Sequence, residues 1–186
     1  MTALIKHTAA LGCIIFLCSC ASVQSTVLRA NPDYNELPVD SVSQAALNVE
    51  QGIKDGKREL PLESINGFIL DTPEVKQALR SRAARSELIQ DILTRGHAVE
   101  KRNGKISIIR SSAYKKSTSS KMRDRDALFI IMENRDRVIM YQSLTDANKL
   151  SPAARSALEV IFQRARVDQM EPGQLYDDAE GNPASK

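Results

Sequence analysis

The sequence predicts a mainly α-helical fold of about four helices with one β-hairpin, strand being the minor part. Three observations predict it. Apolar residues recur at steps of three and four in four separate stretches, the spacing that gathers side chains on one helix face. Two stretches open on a hydroxyl residue followed by proline, Thr72-Pro73 and Ser151-Pro152, which offers a cap and a pre-set first turn. One short segment instead flanks Asn103-Gly104, the strongest local hairpin signal. A chain of 186 residues is expected to form one domain.

Met1 to Leu11 holds one base, Lys6, and no acid; an apolar run follows from Leu11 to Cys18. That run is far short of the ~20 residues of a membrane-spanning helix and has the length of a secretory signal's apolar region. It ends in Leu17-Cys18-Ser19-Cys20, which resembles the lipobox of bacterial lipoproteins, where a small residue precedes the cysteine that takes diacylglycerol. The expectation is a signal peptide over residues 1–19, a lipid anchor (palmitate included) on Cys20, and a tether over 20–39. An ordinary cleaved signal with chance cysteines is the alternative. Ala21 stands where Asp would mark inner-membrane retention, so the resemblance implies the periplasmic face of the outer membrane.

All three cysteines, Cys13, Cys18 and Cys20, lie in this stretch, so the rest of the chain must fold without disulfides. Removing residues 1–19 takes Lys6 from 26 bases and leaves 25 against 23 acids. That near balance gives no field for steering to nucleic acid.

A helical domain is expected over residues 40–170. Its first helix, about 41–54, has the stripe Val42, Ala45, Ala46, Val49 and Ile53, a possible capping box from Ser41 and Gln44, and Gly56 as a stop. Lys57 to Asp71 reads as a packed connector, being apolar yet broken by Pro61 and Asn66-Gly67. The second helix, about 73–95, presents Val75, Ala78, Leu79, Ile89, Ile92 and Leu93, with Arg80, Arg82 and Arg85 as surface arginines with packed stems. The hairpin spans 98–109. A two-residue turn at Asn103-Gly104 would set Val99 against Ile108 and Lys101 against Ile106 on the docked side, with Glu100 and Ser107 on the other.

Arg110 to Arg125 reads as a basic, solvated loop. Its Lys115, Lys116, Lys121 and Arg123 are candidates for anionic headgroup contact, each base near a charged membrane adding about 1 kcal/mol. Without an aromatic ladder beyond Tyr114, the loop does not suit nucleic acid. The central helix, about 122–148, should bury Ala127, Ile130, Ile131, Asn134, Val138 and Tyr141, and its apolar first half should be covered on several sides. The last helix, about 152–168, has the stripe Ala154, Leu158, Ile161, Phe162 and Ala165, and the short break before it predicts antiparallel pairing with the central helix. Residues 171–186 read as an acidic, turn-rich tail: Tyr176 is a candidate to fold back on the body, and disorder is open to the remainder.

Glu133-Asn134-Arg135-Asp136-Arg137 followed by Tyr141 resembles the Glu-Asn-x-Asp-Arg-x-x-x-Tyr signature of the YdbL-like bacterial envelope proteins. Arg82 and Arg85, Gly96 with Glu100 and Asn103-Gly104, and Pro172-Gly173 with Tyr176 and Gly181 follow the same order. Two departures are Val99 in place of a glycine and no tryptophan after Gly181. The resemblance covers roughly Thr72 to Gly181 and implies no reaction. It implies an accessory or chaperone-like partner of envelope proteins, such as bridge-forming lipid-transport proteins.

Chemistry-bearing motifs are sparse. His97 is the single histidine beyond the leader, too few for a zinc site or a Ser-His-Asp triad. No phosphate-cradling glycine loop is present, and no metal or other cofactor is expected. Arg82, Arg85, Glu133, Asn134, Asp136, Arg137 and Tyr141 are expected to form a polar cluster, structural in role, with Asn134 buried. The competing expectation is a hydrolase or transferase acting on cell-wall or lipid material through Glu133 or Asp136. Arginines beside those acids favour their ionised forms and weigh against it.

Overall fold

A computed structural model describes residues 30–186. The expected signal peptide, the lipid site Cys20 and most of the tether lie outside the described residues. Residues 30–38 are not a free tether: Leu37 is buried, the Asp33 amide donates to the Ala153 carbonyl at 3.1 Å, and the Ser151 amide donates to Glu36 at 2.9 Å.

The fold is mainly helical with a small sheet. The helices are α1 (Val39–Lys54), α2 (Pro73–Thr94), α3 (Ser112–Ser117), α4 (Ser120–Ala147) and α5 (Pro152–Asp168). The strands are β1 (Ala98–Glu100), β2 (Ile106–Ile108), β3 (Leu175–Asp177) and β4 (Pro183–Ser185), in the order β2-β1-β3-β4. Side-chain caps start four of the helices; Thr72 accepts from the Val75 amide and Ser151 from the Ala154 amide, each ahead of a proline. The capping box at Ser41 does not form. The helix already begins at Val39, and Ser41 accepts from the Asn66 side chain instead.

α2 and α4 run antiparallel, tied by Thr72–Ser143 at 2.7 Å at one end and Arg95–Asp126 at 3.2 Å at the other. α5 touches α4 but lies mainly on α1, because its stripe meets that of α1. One apolar cluster joins α1, α2, α4 and α5 with Phe68 and Leu70 of the packed connector. A smaller one, built from Ile89, Ile92, Leu93, Ala98, Ile106 and Ile130, sits between α2, α4 and the sheet.

Two expectations need correction, and the open reading of the tail closes. The basic stretch is not a continuous loop: Ser111 caps the short α3, and α4 begins at Ser120 behind its own cap, Ser119. The tail is ordered. β3 adds in parallel to β1, pairing Val99 with Leu175 and Glu100 with Tyr176, and β4 pairs back on β3. The central helix is not covered all round. Of its expected stripe only Ile130 and Tyr141 are buried; Ala127 and Asn134 are half-buried, while Ile131 and Val138 are exposed.

Candidate functional site

The interior of α4 is charged. Four of its buried positions, Asp126, Ile130, Glu133 and Arg137, continue into Met140, Tyr141 and Leu144 at helical spacing. Glu133 and Arg137 point into the space where α1, α2, β1 and α5 converge, and each of those elements sends in one charged side chain: Glu50, Arg82, Glu100 and Arg166. None of the six is more than 9 % exposed.

They close into a ring of alternating sign. Glu50 contacts Arg82 at 2.7 Å, Arg82 contacts Glu133 at 2.8 Å, and Glu133 contacts Arg137 at 2.8 Å. Arg137 reaches Glu100 at 2.7 Å, Glu100 reaches Arg166 at 2.7 Å, and Arg166 returns to Glu50 at 2.9 Å. Arginine suits this geometry because its planar fork can hold two carboxylates at once. Donors left over find the Gly104 carbonyl, 3.2 Å from Arg137 and 3.3 Å from Arg166, and the Tyr141 hydroxyl, 3.1 Å from Arg166. Outside the ring, Arg85 donates to Glu133 at 3.4 Å and pairs with Asp136, so the motif's second arginine and acid form an outward spur.

Isolated buried ions are strongly disfavoured, and pairing with full hydrogen bonding is what makes them tolerable. Three carboxylates against three guanidiniums leave the ring neutral. Burial alone would push the Glu133 carboxyl up, but Arg82 and Arg137 beside it overrule burial and hold it well below the ordinary range. Glu50 follows the same balance, with Arg82 and Arg166 lowering what burial raises. For Arg166, burial opposes the charged form, yet Glu100 and Glu50 keep the guanidinium protonated far above any physiological pH. Burial pushes the Tyr141 hydroxyl up, so it stays a neutral partner.

A cavity of about 40 Å³ adjoins the ring, walled by its charges on one side and by Ile53, Ile89, Leu93 and Met170 on the other. That volume is on the scale of a water or two, whereas small-molecule clefts run to roughly 300–1,000 Å³.

The structure thus gathers Arg82, Arg85, Glu133, Asp136, Arg137 and Tyr141, as expected, and overturns the reading of Arg82 and Arg85 as surface residues. Arg80 alone of that trio is exposed, paired with Glu59. Asn134 is half-buried rather than buried, and has a different task. Its side chain accepts from the Ile106 amide and donates to the Ile106 carbonyl, both at 2.9 Å, clamping β2 onto α4. Glu50, Glu100 and Arg166 were missed. A signal for two of them existed: Glu50 follows Ala46 by one turn on the α1 stripe, and Arg166 follows Phe162 by one turn on the α5 stripe. A charge at such a position must find a partner indoors.

Glu100 was missed because of the hairpin register. Ala98 pairs with Ile108, Val99 with Ser107 and Glu100 with Ile106, one residue off the expected pairing. The turn is a three-residue loop: the Lys101 amide meets the Lys105 carbonyl at 2.7 Å, and Gly104 alone takes positive φ, +75°. That is a type I turn with a glycine bulge. One residue of slip exchanges the two faces of a strand, so Glu100 turns inward with Ala98 and Ile106.

The basic candidates divide. Lys115, Lys116 and Lys121 are exposed, but Arg123 is half-buried and donates to the Thr118 and Lys115 carbonyls, closing the end of α3. His97 is half-buried, 2.8 Å from Arg95 and edge-on to Tyr114; burial and then Arg95 lower its pKa. Among the described residues no group of three or more His, Cys, Asp or Glu is placed to hold a metal, and no helix is long and apolar enough to cross a membrane. Compared with protein-family models, curated proteins and solved structures, the chain shows no match.

Proposed function

We propose that the protein is a non-enzymatic outer-membrane lipoprotein, anchored through Cys20 at the periplasmic face, that acts as an accessory or chaperone-like partner of envelope proteins. The observation that carries the reading is the state of its acids. Glu133 lies inside a closed ring of ion pairs, ionised by Arg82 and Arg137, and Asp136 is paired with Arg85. A general acid or base needs a carboxyl whose proton moves near the working pH and an opening that admits substrate. The cavity beside Glu133, about 40 Å³, does not supply that opening.

The anchor rests on Leu17-Cys18-Ser19-Cys20 and on the confinement of cysteine to that stretch. The choice of an envelope partner rests on the YdbL-like order of residues from Arg82 to Gly181. Lys115 and Lys116 add exposed positive charge that would suit anionic headgroups beside the anchor. Attachment to the membrane raises the local concentration of such a module near its partner.

The test is a crosslinked pull-down of the tagged chain from envelopes, with an Asp136→Asn variant alongside. Both forms should recover the same envelope protein, and mass spectrometry of the captured chain should show acylated Cys20 at its N-terminus. Failure to recover a partner, together with loss of a cell-wall or lipid turnover activity in the variant alone, would reverse the reading in favour of catalysis. An unmodified N-terminus at Ala21 or later would remove the anchor.

A further inference from the structure

The face of α4 turned away from the ring carries what a helix normally hides. Leu128, Ile131, Met132, Val138 and Ile139 are 55, 64, 40, 37 and 36 % exposed. Helical spacing puts them on one stripe, directly opposite Ile130, Glu133, Arg137 and Leu144. The stripe is also polarised along its length. Lys121 stands at its start beside Arg125; Asp146 stands at its end, where Glu74 and Pro73 of α2 flank a shallow groove of about 690 Å³ floored by Val138 and Ile139. At about 1.5 Å per residue, Lys121 and Asp146 are roughly 37 Å apart. No salt bridge joins Lys121, Arg135 or Asp146 to another described residue.

We infer that this stripe is the contact face of an antiparallel dimer, its occupant being a second copy of the same chain. A twofold contact must be self-complementary, so that residue i meets residue j and j meets i. Reversing α4 about an axis between Glu133 and Asn134 sets Lys121 against Asp146, Leu128 against Ile139, and Met132 against the aliphatic stem of Arg135, each twice. Moving the axis onto Arg135 would set that cation against its own copy. Charge complementarity favours this occupant over a lipid surface: Lys121, Arg125 and Arg135 are balanced by Asp124, Asp146 and Glu74, which leaves no net pull on anionic headgroups, whereas a reversed copy supplies a base for the acid at the far end. One helical stripe is a narrow contact against the roughly 800 Å² per partner of a standard stable complex, so a reversible dimer is expected. This contact does not depend on the anchor or on the proposed envelope partner.

Sedimentation velocity across a concentration series tests it, using the full chain with Cys20→Ser so that no acyl group contributes. The chain should pass from monomer to dimer with concentration, and Leu128→Asp should abolish the dimer. Lys121→Asp and Asp146→Lys should each weaken it roughly tenfold, two attractive pairs becoming repulsive. An equimolar mixture of these two variants should recover association to within about twofold of the original, since the mixed dimer regains both opposite-charge pairs. The loss in each single variant marks the antiparallel arrangement, because in a parallel pair Lys121 would face Lys121 and Asp146 would face Asp146, and neither reversal would weaken association. All three positions are exposed, and unchanged melting temperatures confirm that the variants are folded. A chain monomeric at every concentration overturns the inference, as does a dimer insensitive to Leu128→Asp or a mixture that stays weak. Leu128-dependent flotation of a monomeric chain with phosphatidylglycerol vesicles would assign the stripe to a bilayer instead.

Discussion

Replacing Arg137 with methionine probes the ring where its removal cannot be absorbed locally. Arg137 bridges Glu133 at 2.8 Å and Glu100 at 2.7 Å, and also donates to the Gly104 carbonyl at 3.2 Å. Methionine keeps much of the volume and removes the charge. Glu133 keeps Arg82 and Arg85, and Glu100 keeps Arg166, but the six-membered set is left with one uncompensated buried carboxylate. Removing one partner of a buried pair costs about 3–5 kcal/mol. In a domain of this size, 1 kcal/mol corresponds to about 2–4 °C, so the melting temperature at pH 7 should fall by roughly 6–20 °C.

The same variant should show a pH signature. A proton can replace the lost guanidinium on the unpaired carboxylate, so the gap between variant and parent should narrow as pH falls from 7 towards 5. Adding Glu100→Gln to Arg137→Met restores neutrality, and the double variant should be less destabilised than the two singles summed. Thermal melts by circular dichroism give all of these values. A shift under about 2 °C for Arg137→Met, or strictly additive singles, would refute the view that the ring is a coupled unit sustaining the fold.

Gly104→Ala should cost about 1–3 kcal/mol in urea unfolding, because φ is +75° there and a new Cβ would stand 3.0 Å from the Tyr141 ring; a cost below about 0.5 kcal/mol would contradict this. Asn134→Ala leaves the Ile106 amide and carbonyl without their side-chain partner; it should cost about 1–3 kcal/mol and speed hydrogen exchange at the Ile106 amide. Glu50 and Glu133 titrate lower in the folded chain than at the 4.5 of the unfolded one, so the stability they contribute is complete above that pH and is lost as pH falls below it. The melting temperature should therefore hold between pH 7 and 5 and decline below about 4.5, as a pH series of thermal melts would show.

The helices that locate themselves by local chemistry were legible. Thr72-Pro73 and Ser151-Pro152 start α2 and α5 where the caps require, and the apolar stripes of both helices are buried. α4 misled for a physical reason. Periodicity assumes that the apolar side faces in, yet here Glu133 and Arg137 face in and Leu128 and Ile131 face out. The family-like motif pointed to half of the ring, because Glu133 and Arg137 share one helix and Arg82 lies on its neighbour. Glu100 was hidden by a turn one residue longer than Asn-Gly suggests. The order of the tail was hidden because β3 reaches β1 in parallel across a long stretch of chain, a pairing with no local signal.

The most direct test of the central claim, that the charged interior is structural and ionised rather than catalytic, is an NMR titration of the side-chain carboxyl carbons of Glu50 and Glu133 in the folded protein. Both should keep the chemical shift of a carboxylate down to the onset of acid unfolding, with no midpoint at or above 4.5. A Glu133 carboxyl that takes up a proton near neutral pH would contradict the account and return that residue to the role of an acid or base.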